Sequence, residues 1–151
     1  MADYEEALQL GFAAAKKAEI ARKEIQRILE KLKADILAVS EGKLLLEIQM
    51  VEEPEPLSGV FGPLGMAQAY AKALQQKKYY TALMASNPKV AKSPVKELAI
   101  WKQAKDGYPC SLIWGNQERQ CEDRSALEEG LAELLKDPVV GEKLYALTKL
   151  D

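Results

Sequence analysis

The 151-residue sequence contains no histidine. That absence removes the commonest general base, the Ser-His and Cys-His nucleophile pairs, and the usual nitrogen ligand of zinc. Cysteine is nearly absent too: Cys110 and Cys121 are the only two, too few to complete a zinc site. No apolar run approaches the roughly 20 residues that span a bilayer, KLLLEI being typical of the longest. The opening MADYEEALQL lacks the basic and apolar blocks of a signal peptide, so a cytoplasmic location and reduced thiols are expected. Nucleophile elbows, kinase motifs and metal-ligand spacings are missing, as are internal repeats. The sequence therefore predicts no catalytic residues, no cofactor, no metal and no membrane partner.

What is present is a composition that can fold. With 48% hydrophobic and 29% charged residues, the chain can bury a core of single-domain size. From Asp3 to about Ser40 there is no proline and one glycine, and apolar residues recur at helical spacing. The seam runs through Leu8, Gly11, Ala15, Ala18, Arg22, Ile25, Leu29, Leu32, Ile36 and Val39, with Phe12, Ala14, Ala21 and Ile28 beside it. This predicts one long helix, ended by Glu41-Gly42. KLLLEIQMVE then alternates as a half-buried strand over 43–52.

EEPEPLSGVFGPLG breaks regular structure. Its glycines follow a strand and lead toward a helix, where a phosphate loop would sit. Yet Gly59, Gly62 and Gly65 are three apart, no Gly-Lys-Ser/Thr follows, and Pro63 removes a donor, so a turn-rich crossover is expected. The spacing of Met66, Tyr70, Ala73, Tyr80 and Met84 predicts a helix from Pro63 to about residue 86. Asn87-Pro88 and Ser93-Pro94 read as helix N-caps, with a helix to about Lys105 stopped at Asp106-Gly107. Ser125 and Glu128 have capping-box spacing, Asp123 beside Arg124 reads as an ion pair, and Asp137-Pro138 starts a last helix.

PCSLIWGNQERQCED holds both cysteines. Gly115-Asn116 has the pattern of a two-residue type II′ turn, which predicts a hairpin over 109–122 with Cys110 opposite Cys121. A four-residue loop would instead set Cys121 opposite Leu112. The expected fold is α+β: a long N-terminal helix over 1–41, then a compact domain over 42–151. In that domain a small antiparallel sheet, strand 43–52 plus the hairpin, packs against three or four shorter helices.

Charge is unevenly spread. Residues 1–57 carry 8 basic and 12 acidic groups, residues 58–105 carry 8 and 1, and residues 106–151 carry 5 and 10. The central block consists of Lys72, Lys77, Lys78, Lys89, Lys92, Lys96, Lys102 and Lys105, with Tyr70, Tyr79, Tyr80 and Trp101 nearby. Phosphate-neutralising lysines with aromatics that can stack on bases suggest a nucleic-acid surface over 70–105. Against this, the block has no arginine, the chain is acidic overall, and pairing with the acidic thirds serves equally well. Carboxylates at Glu52, Glu53, Glu55, Glu118, Glu122, Asp123, Glu128 and Glu129 raise a third reading, a carboxylate-metal enzyme.

Size points to a different function. A 38-residue helix is about 55 Å long, whereas the remaining chain makes a globule about 34 Å across. The helix must overhang, bend or be covered by a second copy. The favoured expectation is a non-enzymatic cytoplasmic interaction or adaptor protein, of bacterial or phage accessory type. It would homodimerise by a coiled-coil-like contact through Leu8, Ala15, Ala18, Ile25, Leu29, Leu32, Ile36 and Val39, and present a surface to an unidentified protein partner.

Overall fold

A computed structural model describes residues 2–53 and 78–150. Helix α1 (Tyr4–Val39) leads into strands β1 (Leu45–Glu52), β2 (Tyr79–Ser86), β3 (Lys96–Ala104), β4 (Gly107–Trp114) and β5 (Gln117–Cys121). Helices α2 (Arg124–Lys136) and α3 (Pro138–Thr148) complete the chain. The strands form one antiparallel sheet in sequence order, β1 to β5. The α+β arrangement expected from the sequence is the one observed. Two described helices follow the sheet where three or four were expected.

The three described helices share one face of this sheet. Cross-strand partners place Leu46, Leu83, Trp101, Leu112 and Cys121 on that face, where they form the core with Ile25 of α1, Leu127, Leu131 and Leu134 of α2, and Val140 and Leu147 of α3. The second half of α1 thus belongs to the same core as the described residues of the sheet and the two later helices. On the opposite face Tyr80 donates a 2.6 Å hydrogen bond to Glu97, so this tyrosine is a strand residue with a carboxylate partner.

The start and end of α1 follow from local chemistry. Asp3 accepts a 3.1 Å bond from the Glu6 N–H, and Glu5 and Glu6 in the first turn complement the positive end of the helix dipole. At the other end the Gly42 N–H reaches the Leu37 carbonyl at 2.8 Å and the Glu41 N–H reaches Ala38 at 3.2 Å, the paired bonds of a Schellman cap. The left-handed position of that cap is Glu41, at φ 57°. Glu41→Gly is therefore expected to stabilise the fold by about 0.5–1 kcal/mol, because glycine removes the Cβ strain at an exposed site. A rise in the urea midpoint at unchanged m-value would register it.

Two expectations are corrected. Residues 79–86 form a strand, not the end of a helix, and residues 96–104 form another, not a helix capped at Ser93-Pro94. The 63–77 part of the first expected helix lies outside the described residues, as do the three glycines of the expected crossover. Tyr80, Ala82 and Met84 share a face with period two, and β2 pairs with β1 from Leu45↔Ser86 to Glu52↔Tyr79. Ladder bonds on both sides outweigh the helix propensity of the alanines, leucines, lysines and methionine in these segments. A bulge between Leu83↔Ala99 and Met84↔Glu97 leaves Leu98 unpaired and turns it into the core.

Asn87 and Ser93 do cap backbone N–H groups, but in the β2–β3 turn. The Asn87 side chain accepts from the Lys89 N–H at 3.0 Å, and Ser93 Oγ accepts from the Asn87 N–H at 3.0 Å. Asp106-Gly107 likewise marks a hairpin turn between β3 and β4. In the next hairpin Cys110 faces Cys121, Leu112 faces Arg119 and Trp114 faces Gln117, the register expected from a two-residue turn. Gly115 there takes φ 56°.

The helix starts also differ in detail. The N-cap of α2 is Asp123, which accepts from the Ala126 N–H at 2.8 Å; Ser125 lies inside the helix, and Glu128 pairs with Arg124 at 3.0 Å. Asp137 caps α3 before Pro138 as expected, and its second oxygen accepts from the Trp114 indole N–H at 3.2 Å, tying the hairpin to the helix.

Candidate interaction surface

The first buried residue of α1 is Ala18. Residues 4–17 are exposed along their whole length, an overhang of about 20 Å at 1.5 Å per residue. Yet this arm is not polar. Tyr4, Leu8, Leu10 and Phe12 are 56% to 82% exposed, and with Ala7, Gly11, Ala14 and Ala15 they continue the stripe that farther along contacts the sheet.

Three contacts hold the helix where the arm leaves the globule. The β3–β4 turn brings Gly107 against Ala21, with space so tight that a Cβ on Gly107 would lie 2.7 Å from the Ala21 Cβ. Arg22 Nη1 donates to the Lys105 carbonyl at 2.9 Å, which explains an arginine in the seam. Tyr108 donates to Glu24 Oε1 at 2.7 Å; burial and this carboxylate hold the phenol protonated well above its usual range. The arm is thus the free end of an anchored rod.

The expected self-association residues divide between two roles. Ala18, Ile25, Leu29, Leu32 and Ile36 pack into the chain's own core. Leu8 and Ala15 lie on the arm, and Val39 is 86% exposed at the far end of the helix. Tyr4, Leu10 and Phe12 were outside that set; an apolar stripe wider than the strict seam was their only signal in the sequence.

The lysine block is divided by its strands. Lys89, Lys92 and Lys96 cluster at the β2–β3 turn, whereas Lys78, Lys102 and Lys105 lie toward the other end of the sheet. Nine residues of extended chain put about 30 Å between Lys96 and Lys105. Lys72 and Lys77 lie outside the described residues. Had residues 94–105 been helical, Lys96, Lys102 and Lys105 would have stood within about 14 Å.

Two open grooves flank α1. One, about 730 Å³, lies between α1 and α2 over Ile20, Ile28, Leu32, Leu131 and Leu135. The other, about 580 Å³, lies between α1 and the sheet over Ile25, Leu29, Leu46, Ile48 and Leu83. Among the described residues no three His, Cys, Asp or Glu side chains are placed to hold a metal ion. Several of the carboxylates that suggested one are engaged elsewhere: Asp123 caps α2, Glu128 pairs with Arg124, and Glu129 joins Glu133 on Arg119. Glu55 lies outside the described residues. No described helix is long and apolar enough to cross a membrane.

Cys110 and Cys121 are free thiols with no exposed surface. Burial, aided by the neighbouring Cys121, pushes the Cys110 thiol up to about 12; burial also raises Cys121, with Arg119 opposing it. Protonated, covered thiols are poor nucleophiles. The native protein is expected to leave a thiol-disulfide reagent unreacted at pH 7.5, and unfolding in guanidinium to release both thiols. Raised folded-state values mean that the native chain holds protons the unfolded chain has lost. The resulting stability is complete below about pH 9 and falls as pH rises toward 12, with Tyr108 adding in the same direction. A urea midpoint lower at pH 10.5 than at pH 8 checks the sign.

Comparison with protein-family models, curated proteins and solved structures finds no match for this chain.

Proposed function

We propose that this chain is a non-enzymatic cytoplasmic interaction protein of adaptor type that self-associates through the arm of α1. The observation that carries this reading is the apolar surface of Tyr4, Leu8, Leu10 and Phe12 on a helix segment whose residues 4–17 are all exposed. Isolated helices of this length are marginal in water, and most helical stability in proteins comes from packing of an apolar face. An apolar stripe on an arm of fourteen residues therefore calls for a covering surface. The remainder of the molecule, with its anchored helix and its described helices on one face of the sheet, supplies a body on which such an arm can present a second surface to another protein.

Sedimentation over 1–50 µM tests the reading. The wild-type chain is expected to sediment as an oligomer and Leu8→Glu/Phe12→Glu as a monomer. Thermal midpoints measured at low concentration should agree, since both residues are exposed in the monomer. A wild-type chain that stays monomeric throughout overturns the proposal.

A further inference from the structure

The charges on the arm specify how two copies meet. Resting on the self-association just proposed, we infer that the arms pair antiparallel, crossing at Gly11, with a second copy of this chain as the occupant.

The first support is length. The free segment runs over residues 4–17, so its midpoint falls between Leu10 and Gly11. An antiparallel pair crossing there is as long as the overhang itself. Each tip ends beside the partner's Ala18, where the partner's helix first meets its sheet. A pair displaced along the axis would leave apolar surface uncovered at both ends or drive each tip into the partner's sheet.

The second support is charge, and it is independent of the first. Glu5 and Lys16 are eleven residues apart, as are Glu6 and Lys17. Eleven residues make about three helical turns, so each pair lies on one border of the apolar stripe, Glu5 with Lys16 on one side and Glu6 with Lys17 on the other. In an antiparallel dimer the same border of each helix faces its symmetry mate. Glu5 of one copy then meets Lys16 of the other, and Glu6 meets Lys17, if the crossing lies near residue 11. Both pairs are made twice by the two-fold symmetry. A parallel pair brings opposite borders together and would set Glu5 against the partner's Glu6 and Lys16 against the partner's Lys17, like charges that cost where the antiparallel pair gains. The centre of the two charge pairs, at residue 11, falls within half a residue of the midpoint of the overhang.

The contact is large enough. Four large apolar side chains per arm, each more than half exposed, offer on the order of 500 Å² per copy. Leu10 lies on the other side of the stripe from Phe12, so two copies cover part of this surface together with the alanines between them, a contact at the small end of specific interfaces. Gly11 suits the crossing point: among the described residues, no atom apart from its chain neighbours and the nearby backbone of its own helix lies within 4 Å of a would-be Cβ.

Two measurements test the arrangement on the full chain. Ala7→Cys and Ala15→Cys are made separately, the native thiols remaining because they are buried. Antiparallel arms crossing at Gly11 place residue 7 opposite residue 15 of the partner. The expected result is that the two variants form a disulfide-linked heterodimer when mixed under oxidation, and that neither links to itself. Self-linking of Ala7→Cys alone overturns the inference in favour of a parallel pair and leaves the self-association standing; a monomeric wild-type chain overturns both. In the second measurement, Glu5→Lys/Glu6→Lys is expected to weaken dimerisation at low salt about tenfold or more. Adding Lys16→Glu/Lys17→Glu should restore it to within about threefold, since four border pairs change sign and then recover. A quadruple variant no tighter than the double overturns the antiparallel charge pairing.

Discussion

Gly107→Ala is expected to destabilise the fold by about 3–5 kcal/mol, a large part of the 5–15 kcal/mol that holds a domain of this kind together. Two separate penalties combine. Gly107 sits at φ 104°, a conformation that costs an L-residue about 1–3 kcal/mol. The new Cβ would also stand 2.7 Å from the Ala21 Cβ and 3.3 Å from the Arg22 backbone nitrogen, so relief requires α1 to move off the β3–β4 turn. Overpacking of that kind adds about 1–3 kcal/mol. A double-mutant cycle separates the two terms. Ala21→Gly removes the Cβ–Cβ overlap and leaves the backbone strain, so Gly107→Ala should cost less in that background, by about the steric share. Chemical denaturation of the four proteins reads both terms. An unchanged urea midpoint for Gly107→Ala would show that α1 is not clamped at this turn.

That clamp also marks where reading the sequence reached its limit. The first helix was legible because its determinants are local: an Asp cap, an unbroken apolar seam and a Glu-Gly stop. The β4–β5 hairpin was legible for the same reason, two turn residues fixing the register of every pair out to Cys110 and Cys121. Strands β2 and β3 were not. YYTALMAS and KELAIWKQA hold more helix formers than strand formers, and only their ladders with β1 and β4 decide the matter. Those partners are remote in sequence or lie beyond a turn that also resembles a helix cap.

The candidate surface divided along the same line. That α1 outruns its globule followed from its length alone. Which end stands free depends on where the sheet grips the helix, and Gly107, Arg22 and Tyr108 acquire that role only once β3 and β4 are strands. The apolar seam itself reads the same whether it faces a sheet, as at Ile25, or solvent, as at Leu8. The lysine block shows the reverse error. Eight lysines close in sequence suggested one surface, and strand geometry draws the described ones apart toward two ends of the sheet.

Asn87→Ala is expected to cost about 2–3 kcal/mol, and Asn87→Asp more than that at pH 7. Asn87 is 1% exposed and joins two elements distant in sequence: its Nδ2 donates to the Leu147 carbonyl at 2.8 Å, and its Oδ1 accepts from the Lys89 N–H at 3.0 Å. Alanine removes both bonds, the buried one to the Leu147 carbonyl and the part-buried one from the Lys89 N–H, a loss of about 1–3 kcal/mol on top of the cavity it leaves. Aspartate keeps the shape and the acceptor. It cannot donate, however, and sets a buried carboxylate oxygen against the Leu147 carbonyl, repulsion added to desolvation. That carboxyl should hold its proton to a pH well above its unfolded value, and the protonated form can donate to Leu147. Stability lost by Asn87→Asp should therefore return as pH falls through the raised folded-state value, while the loss in Asn87→Ala stays constant. Urea midpoints for the three proteins at pH 7.5 and pH 5 separate the cases, and equal pH dependence for both variants would mean that the Nδ2 bond to Leu147 does not hold α3 to the β2–β3 turn. Hydrogen exchange should localise the effect, with the last turn of α3 losing protection first, because Asn87 is what ties that turn to the β2–β3 connection.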